Sequence, residues 1–268
     1  MIRFLLVLSC VTVFSISIFG QSLEADLKKS FHKYKVVKIN NQDALRKAKV
    51  GIPFKIKPDD RDFQFILRLN DIRTADYTAE YTDSNGRHSL PRREVFTYKA
   101  KIIGERNSVV ALTVDGTTFE GLIAPENDEF FIESAKKYST RAADDDKVIY
   151  RVKDKVRQDD GICGLDEAVA RETERIGSDF NPDSTTQSGR RVLEVATEAD
   201  KEFVLGIGGG NGDPATANVS ILSVLNQVDA IYESQLNLSV VVTYQHAWMP
   251  GTPDPYANIT DPDMRISS

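Results

Sequence analysis

Alternation of apolar and polar side chains predicts strands through the first half of the chain. In one stretch, apolar residues occupy every second position, the period of a half-buried strand: Phe63, Phe65, Leu67 and Leu69. Similar runs cover residues 96–102, 109–114, 118–123 and 129–132. Two dipeptides are typical of tight turns between antiparallel strands: Asn85-Gly86 and Asp115-Gly116. These features predict an antiparallel β-rich unit over residues 54–138.

The pattern changes to that of an α/β protein after residue 190. Residues 192–197 form one strand-like run, and residues 238–244 alternate as another. Between them, apolar side chains recur at helical spacing: Ile221, Leu225, Val228, Tyr232 and Leu236. We expect Asn218 or Ser220 to cap the start of this helix. A strand, a helix and a strand in succession predict a crossover unit with two parallel strands.

The two patterns together predict an α+β fold, with a β-rich N-terminal part and an incomplete α/β unit over residues 191–268. A single helix covers only one face of a sheet. We therefore expect the other face and at least one strand edge to stay bare, and residues 191–268 to be loosely packed.

Residues 139–190 are predicted to be a charged linker between the two units. They include Asp144-Asp145-Asp146, and residues 178–188 are rich in Ser, Thr, Asp and Asn, as loops are. Cys163 lies within the linker, between Gly161 and Gly164. The dibasic pair Arg190 and Arg191 closes it and is a candidate processing site, because proteases reach basic pairs in flexible segments.

The first 20 residues have the parts of a secretory signal peptide: a basic start, a short apolar run and a small residue, Gly20. The run is too short and too rich in Ser and Thr for a membrane span, which needs about 20 apolar residues. We therefore expect a secreted, extracellular protein that has no membrane association once residues 1–20 are removed. Residues 21–190 would then precede the C-terminal unit.

Charge and cysteine content narrow the function classes. The net charge of −6 comes from interspersed acidic and basic residues, so no cationic stripe for nucleic acid is present. Without the signal peptide, Cys163 is the one cysteine left and can form no internal disulfide. A thiolate is a strong zinc ligand and can fill the position that a catalytic zinc otherwise gives to water. Cys163 is therefore a candidate metal ligand.

No catalytic residue is predicted in this chain. None of the three histidines, His32, His88 and His246, has a second His or a Glu at metal-site spacing, and no H-E-x-x-H motif is present. We expect each of them to be a surface or boundary residue. A glycine-rich stretch, residues 206–212, lacks the Lys-Ser/Thr of a phosphate-binding loop and is expected to be a surface loop.

Three parts of the chain resemble the reprolysin (adamalysin-type) zinc metalloproteases, a branch of the metzincins. Residues 96–112, 121–123 and 130–133 are similar to the family's propeptide pattern. Ile162-Cys163-Gly164 resembles its inhibitory Met-Cys-Gly segment, although the basic residue before the cysteine is missing. The third part is similar to the first strand, helix and second strand of the catalytic domain: residues 192–200 and 224–238, with Trp248 where the family often has Trp.

The resemblance implies a secreted zymogen whose propeptide, residues 21–190, places Cys163 on the catalytic zinc and is removed near Arg190 and Arg191. In the family, three His of an H-E-x-x-H-x-x-G-x-x-H helix hold zinc, and its Glu polarises the attacking water. This chain has none of these residues. We therefore expect it to be inactive as given and to bind no zinc, while a full-length form would cleave a protein or peptide substrate. Glu194 matches a position that helps some members hold a structural calcium ion.

The competing hypothesis is a non-enzymatic exported protein, a β-rich binding or inhibitory module with a small α/β appendage. The missing zinc motif favours this module. The incomplete strand–helix–strand unit favours a protease that is truncated before its zinc site.

We predict that Cys163 reacts rapidly with a thiol-specific reagent under native conditions, because it has no disulfide partner and lies in a charged, polar stretch. Mass spectrometry after a timed labelling pulse measures the rate, with the denatured chain as the reference. Labelling that requires denaturant would identify a buried structural cysteine and remove the main residue of the latency hypothesis.

Overall fold

The protein has an α+β fold, which the computed structural model describes for residues 22–156, 189–207 and 212–253. The predicted signal peptide and Cys163 lie outside these ranges. The helices are α1 (Leu23–Ser30), α2 (Asn41–Val50), α3 (Lys201–Ile207) and α4 (Pro214–Leu236). None of the helices in the described ranges is long and apolar enough to cross a membrane.

The strands follow one another in chain order as β1 (Lys35–Lys38), β2 (Phe54–Ile56), β3 (Phe63–Phe65), β4 (Arg68–Leu69), β5 (Arg73–Asp83), β6 (Gly86–Leu90), β7 (Thr97–Ala100), β8 (Val109–Val114), β9 (Phe119–Ala124), β10 (Phe130–Ser134), β11 (Asp146–Tyr150), β12 (Arg191–Ala199) and β13 (Leu238–Trp248). The larger sheet, sheet 1, is antiparallel and has the order β1-β11-β10-β9-β8-β7-β4. A four-stranded sheet, sheet 2, has the order β12-β13-β5-β6, and β2 pairs with β3 as a separate hairpin.

Sheet 1 carries the main apolar core, where its buried face packs against α2 and the β2–β3 hairpin. The largest buried side chains of this core include Phe63, Phe65, Tyr98, Leu112 and Phe119. Strands β8 and β9 approach so closely that a Cβ at Gly121 would lie 2.1 Å from the carbonyl oxygen of Ala111. This position, with a φ of 144°, therefore requires glycine.

Strand β11 lies inside the stretch that the sequence predicts to be a charged linker. All five of its residues are buried, between β1 and β10. Its charged side chains are paired: Asp146 lies 2.8 Å from Lys38 Nζ, and Lys147 Nζ donates to the carbonyl oxygen of Asp144 at 2.7 Å. Charged residues that indicate a solvated loop in the sequence here lie in a buried strand, where one forms an ion pair and the other bonds to a backbone carbonyl oxygen.

Sheet 2 joins the two halves of the chain. Strands β12 and β13 are parallel, as the strand–helix–strand pattern predicts. Strand β13 has a neighbour on each side, because β5 pairs with it in parallel from Arg73 to Thr82. The strand itself is visible in the sequence, because Ala75, Tyr77, Ala79 and Tyr81 alternate with polar residues before the predicted Asn85-Gly86 turn, but its pairing with β13 is not. Within the described residues, β12 and β6 form the edges of this sheet.

Helix α4 begins earlier than its apolar periodicity predicts. Asp213 is the N-cap and accepts a hydrogen bond from the Ala215 N–H at 3.1 Å, so neither Asn218 nor Ser220 caps the helix. The helix packs on β13 and also on β7, β8 and β9 of sheet 1. It therefore lies between the two sheets and buries a second, polar face as well as its apolar one: Asn218, Ser223, Asn226 and Asp229.

Acid should weaken the attachment of α1 to sheet 1 through Asp26. Hydrogen bonds from Ser139 (2.7 Å) and then Lys29 lower the pKa of Asp26 from 3.8 to about 2, and Arg141 assists. Because the folded-state pKa is the lower one, this stabilisation is complete above about pH 4 and is lost as the pH falls through about 2. We expect Asp26→Asn to be less stable at neutral pH and to lose less stability between those pH values.

Chemical unfolding at a series of pH values measures this effect. Ser139→Ala removes the hydrogen bond that lowers the Asp26 pKa most but keeps the carboxylate. This variant should therefore lose less stability than the unsubstituted protein between about pH 4 and 2, but more than Asp26→Asn. An equal loss of unfolding free energy at acid pH in Asp26→Asn and in the unsubstituted protein would show that Asp26 is not the group responsible.

Candidate functional site: the seam between the two parts of the chain

The strongest candidate for a functional site is the contact of α4 and β13 with the N-terminal part of the chain, which we call the seam. Three hydrogen bonds join α4 to sheet 1 and the turn before β5. Asn70 Nδ2 donates to Asn226 Oδ1 at 2.9 Å, and Asn226 Nδ2 donates to the Tyr98 carbonyl oxygen at 3.3 Å. Thr113 Oγ1 donates to Ser223 Oγ at 2.7 Å. The face of α4 toward sheet 1 is therefore held by polar groups that satisfy one another.

An ionic cluster continues the seam toward the C-terminal end of α4. Lys99 Nζ of β7 lies 2.5 Å from Asp229 Oδ2 and 2.7 Å from Glu233 Oε2. The other oxygen of Asp229 accepts a hydrogen bond from the Val240 N–H of β13 at 2.8 Å. One buried carboxylate of α4 therefore bonds to both sheet 1 and sheet 2. Burial acts to raise the pKa of Glu233, but hydrogen bonding and charge from Lys99, with the charge of Arg190, hold it below its ordinary value.

A polar row crosses sheet 2 at the carboxyl ends of its three parallel strands. His246 Nδ1 lies 2.9 Å from Glu198 Oε1 of β12, and His246 Nε2 lies 2.8 Å from Thr82 Oγ1 of β5. Trp248 Nε1 also donates to Glu198 Oε1, at 2.7 Å. The expectation of a surface or boundary position for His246 is wrong, because the residue is only 2% exposed. Its partners are 48 and 164 residues away in the sequence, so no local pattern could have indicated them.

The candidate processing pair lies at the start of sheet 2. Arg191 is the first residue of β12 and pairs with Leu238 of β13. The Arg191 N–H donates to the Asn237 carbonyl oxygen at 3.1 Å. The Arg190 guanidinium donates to Ser239 Oγ and lies 3.0 Å from Glu233. Arg190 also lines a cleft of about 1540 Å³ between sheet 1 and the last turns of α4. A protease that cuts here would have to detach Arg190 and unpair the first residue of β12.

The other predicted site residues are not brought together. Glu194 is exposed on the edge strand β12, opposite Val241 of β13. Cys163 is outside the described residues. The described ranges contain no group of three or more His, Cys, Asp or Glu side chains that could hold a metal ion.

Sequence analysis missed the residues that form the seam. Ser223, Asn226, Asp229 and Glu233 recur at helical spacing along α4, which is a visible signal. Such a polar stripe normally indicates the solvent side of an amphipathic helix. Here it faces a second sheet, and only the tertiary structure shows this.

Comparison with known proteins adds no relative. A scan against models of protein families finds no match, and neither does a search of curated proteins. The residues of this chain and their geometry are therefore what supports a functional assignment.

We predict that Lys99→Met lowers the free energy of unfolding by about 3 kcal/mol, because it leaves the Asp229 carboxylate buried without its counter-charge. Asp229→Asn in the same chain should recover part of this loss, since the neutral amide still accepts the Val240 N–H. Urea unfolding of the two single variants and the double variant gives the coupling energy.

Lys28→Met is the matched control, because Lys28 pairs with Glu24 on the exposed surface of α1 and should leave the stability unchanged. A Lys99→Met variant that is no less stable than this control would show that the ionic cluster does not hold the seam together.

Proposed function

We propose that the chain is the N-terminal region of a secreted zinc endopeptidase precursor, in which residues 22–156 fold and hold the opening unit of the catalytic domain, residues 191–253. One observation carries this proposal: β5 of the N-terminal part completes sheet 2 beside β13, while sheet 1 covers the second face of α4. The resemblance of three parts of the chain to reprolysins supports the same assignment. The signal-peptide pattern of residues 1–20 supports export.

The chemistry of the seam is suited to a contact that is made and later broken. Hydrogen bonds and an ion pair join α4 to sheet 1 and the turn before β5, and interfaces between domains that separate are richer in such polar contacts than permanent ones. The core of sheet 1, in contrast, is continuous and apolar. The hairpin of β5 and β6 is more firmly attached, since Ile72, Tyr77 and Ala79 pack with Val242. The N-terminal part would thus act as a template for sheet 2 and α4.

Latency is assigned to Cys163, whose thiolate would occupy the catalytic zinc of the full-length enzyme. The described residues offer no set of side chains that fits a zinc ion, and the 268 residues contain no H-E-x-x-H. We therefore assign no catalytic step to this stretch and propose that it is inactive by itself. The substrate of the full-length enzyme would be a protein or peptide. Calcium at Glu194 has no support from its surroundings.

A non-enzymatic exported module is the second candidate. One observation favours it: the described parts of the chain already pack together through two sheets and a shared helix. Under this alternative the seam is permanent, and cleavage between residues 156 and 189 has no physiological consequence.

Cleavage of the linker in the folded chain tests the template role. We place a specific protease site between Gly164 and Leu165, cut it, and expect both fragments to co-elute in size-exclusion chromatography until denaturant is added. After separation, the C-terminal fragment should refold only when the N-terminal fragment is added back. The single tryptophan, Trp248, packs edge-on against His246 and reports refolding by its fluorescence.

An N-terminal fragment with Lys99→Met should restore less fluorescence than the unsubstituted fragment, and one with Lys28→Met should restore as much. A C-terminal fragment that refolds alone would refute the template role. For the protease itself, Cys163→Ala in a chain that carries the zinc-binding helix should raise activity before propeptide removal. Unchanged latency would count against thiolate ligation and favour the module.

A further inference from the structure

The cleft of about 1540 Å³ between sheet 1 and the last turns of α4 exposes apolar side chains along its walls. Four of them are between 40% and 60% exposed: Ile66, Leu69, Ile103 and Val152. They come from separate stretches of the chain, which the fold brings to one concave surface. Apolar side chains that are grouped in this way indicate a site where another polypeptide segment packs.

The charged residues of the cleft are mainly basic, with seven Lys and Arg side chains against four Asp and Glu. Three of the basic residues, Lys99, Arg151 and Arg190, pair with carboxylates of the fold. In the described part of the chain, the other four have no carboxylate within ion-pair distance: Arg68, Lys101, Arg106 and Lys153. A segment that fits this cleft is therefore acidic as well as partly apolar.

The chain itself contains a segment of this composition, residues 165–183, outside the described ranges. It has six acidic and two basic residues, a net charge of −4, whereas the whole chain has −6. Most of the net charge of the protein is thus concentrated in 19 of its 268 residues. The segment also has four large apolar side chains to match the exposed ones of the cleft: Leu165, Val169, Ile176 and Phe180.

Both connections of residues 165–183 to the described structure begin beside the cleft. Lys153 lines it shortly before the chain leaves the described part at residue 156, and Arg190 lines it directly after the chain returns at residue 189. At about 3.3 Å per residue, the two connections reach at most roughly 30 Å and 20 Å. Tethers of this length give an effective concentration on the order of millimolar, which a separate acidic protein would have to exceed.

We propose that residues 165–183 dock in this cleft, with their carboxylates at its unpaired basic side chains and their apolar residues at its exposed apolar ones. The docked segment crosses from sheet 1 to the last turns of α4 and lies beside Arg190, so it covers one end of the seam and the candidate processing residue together. Cys163 precedes the segment and stays accessible to thiol reagents. The docking needs no zinc site and holds for a non-enzymatic module equally.

A paramagnetic label on residue 170 tests the docking in the chain without residues 1–20. Cys163→Ser combined with Ala170→Cys leaves one thiol, to which a nitroxide is attached. We expect the nitroxide to broaden the backbone amide signals of Ile103 and Ala124, which line the cleft. The signal of Ala44 on α2, which packs in the core of sheet 1, should keep its intensity.

Reversal of charge in the cleft should release the segment. Lys101→Glu with Arg106→Glu replaces two unpaired cations by anions, so the signals of the cleft should regain their intensity. Lys55→Glu with Lys57→Glu is the matched control, because it changes the net charge equally on exposed residues outside the cleft. The control chain should keep the full broadening.

Asp166→Lys with Glu167→Lys, added to the chain with the two cleft reversals, should bring the broadening back, which a misfolded chain could not do. Lack of broadening in the cleft, or equal broadening in the cleft-reversed and control chains, would overturn the proposal. A third result would do the same: broadening in a mixture of nitroxide-labelled chain and separate ¹⁵N-enriched chain, because the occupant would then be a second copy.

Discussion

The buried carboxylate of Asp229 constrains the arrangement of the whole molecule. It sits on α4, pairs with Lys99 of sheet 1 and accepts the Val240 N–H of sheet 2. A carboxylate in this position costs free energy unless all of these groups are in place, because an unpaired buried charge loses its hydration without compensation. Displacement of α4 from either sheet would break one of the contacts. The ionic cluster therefore fixes the helix relative to both sheets, which apolar packing alone would specify less strictly.

Parallel pairing of β5 with β13 follows from the same geometry. Once α4 is fixed between the sheets, it covers one face of sheet 2. The backbone N–H and C=O groups on the side of β13 away from β12 then still need hydrogen-bond partners. The hairpin of β5 and β6 supplies them and buries Tyr77 and Ala79 against Val242. At the carboxyl ends of these strands, Glu198, His246 and Thr82 bond in a row, so the two parts of the chain are also joined by polar groups.

The proposed template role has a physical consequence for processing. Removal of residues 22–156 would expose the edge of β13, the polar face of α4 and the carboxylate of Asp229 together. Each of these groups would need a new partner, from solvent or from protein that replaces the N-terminal part. Arg190 belongs to the same contact through Glu233, so the candidate processing site and the seam are physically linked.

The sequence by itself determined the elements whose pattern is local. Periods of two and of 3.6, together with Gly-containing turns, predicted the α+β class, strands β8 to β10 and the β12–α4–β13 unit, because these signals reflect which side of one element is buried. The tertiary structure alone decided that β5 joins β13, that β11 is buried and that the polar stripe of α4 faces a second sheet. Polar residues are ambiguous in a sequence, since water or a distant side chain satisfies them equally well. For Asp229, His246 and the other polar groups of the seam, the partners are far away in the chain, and only folding brings them within hydrogen-bond distance.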